Sequence, residues 1–256
     1  MAKHIEDEIV YHYDLYPTEE DWMGQTSVHG RLIRYLVEVL IWLFWGQRCA
    51  IYGSLNFYQT PDIYEYPMSP DIAAIKGVGD DDVTSWRVNK DGPPPQVVFE
   101  ILSAKTWKAD LHEKPTHYAR MGVQEYFAYD PNTPLLDRDA SSRLSGWQLD
   151  PLTRQMQPMS HLPNGSLWSV HLDSFLIPGG KSLSLSDRQG HRRLTQAQAE
   201  KRRADTQAQA RQAEKRRADA EAQARQAEKR RADAEARRAA ALAEKLRSLG
   251  IDPDQL

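Results

Sequence analysis

The 256-residue chain contains one cysteine, Cys49, so it can form no internal disulfide, which fits a reducing compartment. The expected place for Cys49 is a buried position on a strand. A lone thiol also excludes a zinc–thiolate centre. Long hydrophobic runs are missing too. The most apolar stretch, residues 32–45, is 14 residues long and is broken by Arg34 and Glu38. A bilayer span takes about 20 residues, so this stretch reads as a core helix. Residues 1–10 are charged and lack the apolar segment of a secretory signal. The expectation is a cytoplasmic protein with no membrane partner. No glycine-rich phosphate cradle and no nucleophile elbow occurs anywhere, which removes the common nucleotide-binding and serine-hydrolase readings.

Glycine and proline vanish altogether between residues 191 and 249. In their place the heptapeptide AEKRRAD recurs from Ala199, Ala213 and Ala227, a repeat of 14 residues or two heptads. Alanine is the best helix former, and Glu214/Arg217, Glu221/Arg225 and Asp233/Arg237 are spaced for intrahelical pairs. A long helix over 191–249 follows, with a short tail over 250–256. One heptad column is alanine apart from Thr206, but the columns beside it hold Gln and Arg rather than the Leu or Ile of a strong seam. A solvated single helix and an alanine-seamed coiled-coil dimer are both open, with a nucleic-acid tether as a third use.

Charge divides along the same line. Residues 191–256 hold 17 Lys and Arg against 11 Asp and Glu, a balance of +6 that leaves −9 on residues 1–190 of a chain whose net charge is −3. An acidic body attracts phosphate weakly on its own. A divalent cation held by carboxylates would offset part of that.

In residues 1–185 apolar periodicity predicts a helix from about His29 to Trp45, ended by Gly46. Residues 49–58 are β-rich, and 71–75 form a second short strand. Residues 77–95 read as a Gly-, Asp- and Pro-rich loop. Residues 96–103, QVVFEILS, form a strand covered on both faces. A short helix ending near Gly122 follows, then a strand over 125–129. Two or three antiparallel strands are expected between Leu144 and Ile177, and the composition changes at Gly179–Gly180.

Chemistry is concentrated in residues 70–131. Asp71 and Glu100 are isolated acids at the end of, or within, apolar strands. A carboxylate inside VVFEILS is costly to bury without a partner. It either pairs with a Lys or Arg, or joins Asp71 in holding a hard cation through oxygen ligands. His112 and His117 are five residues apart and fall on different helix faces, so they read as surface residues.

The order Pro-Asp, Glu-x-Leu-Ser, Asp-x-x-x-Lys-x-x-x-Tyr, Gly-Val-x-Glu-Tyr, Asp-Pro resembles that of the Uma-two-type restriction endonucleases, a family of the PD-(D/E)XK nuclease superfamily. The resemblance runs from about His29 to Pro178 and is densest between Pro70 and Pro131. It implies an α/β fold, a restriction-endonuclease-like mixed sheet flanked by helices, with the long C-terminal helix outside it. It also implies Mg²⁺-dependent hydrolysis of phosphodiesters, with Mn²⁺ as a substitute, and DNA as the partner. Asp71 and Glu100 would be the metal-binding acids. The superfamily's lysine usually lies two residues after the second acid, where this chain has Leu102; Lys114 matches the lysine of the following helix instead. It would orient water or stabilise charge on the phosphate.

Lys105 competes for that role, although strand alternation turns it away from Glu100. Pro115 means either that a helix begins at Pro115 with Lys114 at its lip, or that Asp110 and Glu113 cap a kinked first turn. His29 and Glu38, on the first helix, are further candidates, Glu38 as a third acid. Ser103 is read as a site contact or a strand cap, Asp110 as a helix cap, Tyr118 as a core aromatic with a bonded hydroxyl, and Asp130 as a turn former. Cleavage of both strands would suit a homodimer. The rival reading is a catalytically silent nuclease fold that binds or dimerises through its C-terminal helix.

Overall fold

The computed structural model describes residues 11–15 and 27–248. The chain divides into two compact units, Met1–Ala197 and Gln198–Leu256. In order, the elements are α1 (His12–Leu15), α2 (Ser27–Leu43), β1 (Cys49–Gly53), β2 (Asn56–Tyr58), β3 (Ile72–Lys76), β4 (Ser85–Arg87) and β5 (Val97–Ile101). Then come α3 (Trp107–His112), α4 (Lys114–Met121), β6 (Glu125–Tyr129), β7 (Leu144–Leu149), β8 (Met156–Pro158), β9 (Leu167–Ser169), β10 (Ser174–Gly179), β11 (Ser182–Ser186) and α5 (Gln196–Ser248).

A mixed six-stranded sheet in the order β1-β3-β5-β6-β7-β8 organises the first unit. Only β5 and β6 run parallel within it. A parallel pair needs a crossover, and α3 and α4 supply it. Every residue of β5 and β6 is buried, as expected for central strands covered on both faces.

Strand alternation splits the core into two layers. Val97, Phe99 and Ile101 pack in one cluster with Leu32, Leu36 and Leu40 of α2. Val98 and Leu102 pack in the other with Tyr118, Met121 and Tyr126. Glu100, in phase with Val98 and Leu102, therefore points to the α4 side.

The expected helix over 29–45 is α2, which starts two residues earlier, at Ser27; Gly46, with φ 76°, lies in the turn that ends it. Cys49 is buried at the start of β1, and burial pushes its thiol up to about 11. Residues 77–95 are not all loop: β4 pairs in parallel with β2, and Trp86 is buried in the second cluster. A three-residue strand is too short to show periodicity. Residues 144–177 yield four strands rather than two or three. β7 and β8 extend the main sheet, while β9 and β10 join β11 in a separate antiparallel sheet. Gly179–Gly180 is the turn of the β10–β11 hairpin, with Gly180 at φ 69°. β11 ends at Ser186, and Thr195 beyond it is still buried.

α5, which makes up most of the second unit, runs for 53 residues, about 80 Å at the usual rise, with nearly all of its described side chains exposed. Of the three expected intrahelical pairs, Glu221–Arg225 alone forms among the described residues, at 2.5 Å. Exposed pairs gain little over hydration, so the others need not close. No helix among the described residues is long and apolar enough to cross a membrane.

Candidate active site

β3 and β5 are antiparallel, with Ile72 opposite Phe99 and Ala73 opposite Val98. Continuing that register by one residue sets Asp71 opposite Glu100. Residues so paired lie on one face, with Cβ atoms about 4.5–5.5 Å apart. The backbone N–H of Ile101 donates to Asp71 Oδ2 at 2.7 Å, which ties the acid to the end of β5. His29 Nε2 lies 3.1 Å from the same oxygen. His29 shares a face of α2 with Leu36 and Leu40, seven and eleven residues on, so burial of that face delivers the imidazole to the strand end.

Glu100 is 4% exposed. Its Oε1 accepts from Lys114 Nζ at 2.7 Å and from the Tyr118 hydroxyl at 2.5 Å. Both donors come from α4. Lys114 is the first residue of that helix and Pro115 the second, where a missing N–H sacrifices no helical bond. Of the two arrangements open from sequence, this is the first. Four residues separate Lys114 from Tyr118, one helical turn, so both point at the same carboxylate.

Lys114 Nζ also lies 2.8 Å from Asp110 Oδ1. Asp110 does not cap a helix. It sits within α3 at 1% exposure, and Oδ2 accepts from the Thr106 hydroxyl at 2.7 Å. Ser103 Oγ lies 2.9 Å from Thr106 Oγ1 and so supports Asp110 from behind. The Tyr126 hydroxyl donates to the Asp110 carbonyl at 2.7 Å.

Burial pushes the Glu100 carboxyl up to about 7; the Lys114 ammonium opposes the shift, and Asp71 and Asp110 add to it. Burial of the Lys114 amine works against its charge, but Glu100 and Asp110 outweigh this and hold it above the ordinary lysine value. Burial, with Glu100 beside it, keeps the Tyr118 hydroxyl well above the usual phenol range. It is therefore a proton donor near neutral pH.

His29, Asp71, Glu100, Lys114 and Tyr118 thus come together, and Ser103 reaches them through Thr106 and Asp110. Glu38 does not join them. It is nine residues after His29, about 180° around the helix, and it is exposed. Lys105 is exposed in the turn after β5. His112 and His117 are exposed as well. Asp130 bonds the backbone N–H groups of Asn132 and Leu136, a turn role. Sequence reasoning placed Asp110 in the wrong role and passed over Thr106. The signal for Asp110 was its spacing of four before Lys114.

Asp71 and Glu100 each commit one oxygen and keep another. Asp71 Oδ1 and Glu100 Oε2 make no hydrogen bond with described residues, and neither is sealed from solvent. Two such oxygens suit a hard cation that keeps several waters. No group of three His, Cys, Asp or Glu side chains among the described residues is arranged to hold a metal ion. Waters and a phosphate oxygen would have to complete the shell.

The sequence model of the family described as "Uma2: Putative restriction endonuclease" matches residues 18–171. Among solved structures, the chain is similar to one described as "a putative nuclease belonging to DUF820 from Anabaena variabilis ATCC 29413". The identity is 13% and the TM-score 0.40, over 59% of this chain and 75% of that one. No curated protein matches the chain.

Proposed function

We propose that the chain, which belongs to the family described as "Uma2: Putative restriction endonuclease", is a divalent-metal-dependent endonuclease acting on DNA. The observation that carries the reading is the pairing of Asp71 with Glu100 across β3 and β5, each with one uncommitted oxygen, beside the Lys114 ammonium. Asp71 Oδ1 and Glu100 Oε2 would hold Mg²⁺ or Mn²⁺. When bound, such a cation lowers the pKa of water and neutralises charge on a phosphodiester.

The protein's own groups do the rest. Ile101 N–H and His29 fix Asp71 through Oδ2, leaving Oδ1 without a hydrogen bond. Tyr118 fixes Glu100 in the same way through Oε1. Lys114 stays cationic and cannot act as a base near neutral pH, so its role is to attract the phosphate and stabilise the charge that builds on it. With Glu100 near pH 7, occupancy by a cation competes with a proton, and activity rises as pH increases through neutrality.

The test is incubation of the purified chain with supercoiled plasmid in Mg²⁺, Mn²⁺ or EDTA, beside an Asp71→Ala/Glu100→Ala double variant. Nicking or linearisation that needs metal and disappears in the double variant is the expected result. No cleavage by folded protein on single- or double-stranded DNA would leave a silent binding fold as the better reading. Cleavage of RNA alone would keep the site and change the substrate.

A further inference from the structure

One ammonium serves two carboxylates in this site. Lys114 Nζ is 2.7 Å from Glu100 Oε1 and 2.8 Å from Asp110 Oδ1. The two acids are held differently. Glu100, though only 4% exposed, has Oε2 free of hydrogen bonds, whereas Asp110 has nothing to offer a ligand: Oδ2 is bonded to Thr106, and the buried Oδ1 meets only the ammonium. Asp110 is also anchored without help from the lysine, by Thr106 and by the Tyr126 bond to its carbonyl.

We propose that Asp110 is a positioning residue that retains the Lys114 ammonium when Glu100 takes up a divalent cation. The proposal rests on the metal-dependent reading above. A cation beside Glu100 cancels the attraction this carboxylate exerts on the ammonium and adds repulsion of its own. If Glu100 were its only anionic partner, the lysine would either keep that carboxylate and oppose the metal, or swing out to solvent and leave the phosphate unattended. Asp110 provides a third course. It lies on α3, four residues before Lys114, and takes the ammonium with little movement. The metal and the lysine then no longer compete for one acid.

A double-mutant cycle on the full chain tests this, with Mn²⁺ as the probe and binding read by titration calorimetry. Asp110→Asn preserves size and an acceptor for Thr106 while removing the charge. In the wild-type background it should weaken Mn²⁺ by about tenfold or more, the scale found for residues that orient metal ligands. In a Lys114→Met background the same change should have a much smaller effect, because no lysine remains to oppose the cation. Equal losses in the two backgrounds would overturn the proposal, since Asp110 would then act through its charge or through the fold alone. No binding by wild type would overturn the metal reading itself, and this proposal with it.

A measurement on the wild-type chain guards against misfolding of the variant. On saturation with Mg²⁺, the Nζ resonance of Lys114 should stay at its hydrogen-bonded, solvent-protected position. Its movement to the position of free lysines would sink the proposal.

Discussion

Asp110–Lys114 and Glu221–Arg225 have the same spacing, an acid four residues before a base, and both occupy helical segments. In the first pair the side chains are 1% and 24% exposed; in the second, 65% and 78%. Spacing brings the partners within reach in both places, and burial decides the consequence. On α5 each charge keeps its water, and the pair contributes little. Beside β5 the charges have lost much of their water and depend on one another, so removing one leaves the others uncompensated. The two regions use a common vocabulary of Glu, Asp, Lys and Arg in opposite settings: an exposed helix surface, and a buried cluster of interdependent charges.

That contrast can be broken at several points. Lys114→Ala should have the largest effect on stability, about 3–5 kcal/mol by denaturant unfolding without metal, because two buried acids lose their cation. The loss should be greater at pH 8 than at pH 5, where Glu100 is already protonated. A loss below 1 kcal/mol, as at a surface pair, would erase the distinction.

Tyr118→Phe should cost about 1–3 kcal/mol, since Glu100 Oε1 gives up a buried donor. Glu221→Ala should cost only about 0.3–0.5 kcal/mol. That loss should fade in 1 M salt, whereas the losses at Lys114 and Tyr118 should persist.

The metal-free protein should also show a distinct pH slope. Its Glu100 carboxyl titrates at about 7 against an ordinary value of 4.5, so the folded state holds a proton that the unfolded chain has released. Stability from this group is therefore complete below about pH 4.5, declines as pH rises towards 7, and is flat above it. Glu100→Gln should remove that part of the slope in urea titrations at a series of pH values; an unchanged slope would assign it elsewhere.

Much of the first unit was legible because burial on both faces writes itself into sequence. VVFEI and EYFAY are apolar without alternation, and both proved central. α2 was legible from Leu32, Leu36, Val39 and Leu40, the residues it buries. The acids at 71 and 100 stood out because apolar surroundings make a carboxylate conspicuous. β2 and β4 were harder, since three residues carry no period and their parallel pairing depends on chain far apart in sequence. Asp110 was misread for a related reason. A polar residue early in a helix has a ready local use as a cap, and nothing local says that the α3 face carrying Asp110 turns towards β5. His29 and Glu38 lie on one helix and were weighed alike, yet their opposite faces separate them.

The placement of Lys114 has a consequence for how such chains are found. With the cation supplied by α4, the position two residues after Glu100 is released from electrostatic duty, and Leu102 packs there against Tyr118 and Tyr126. The ammonium reaches Glu100 from a helix, and position 102, just past the end of β5, is ordinary core. A search keyed to an acid and a lysine two residues further on would pass this chain by. A search for an ammonium within bonding distance of a strand carboxylate, whatever their separation along the chain, would retrieve it.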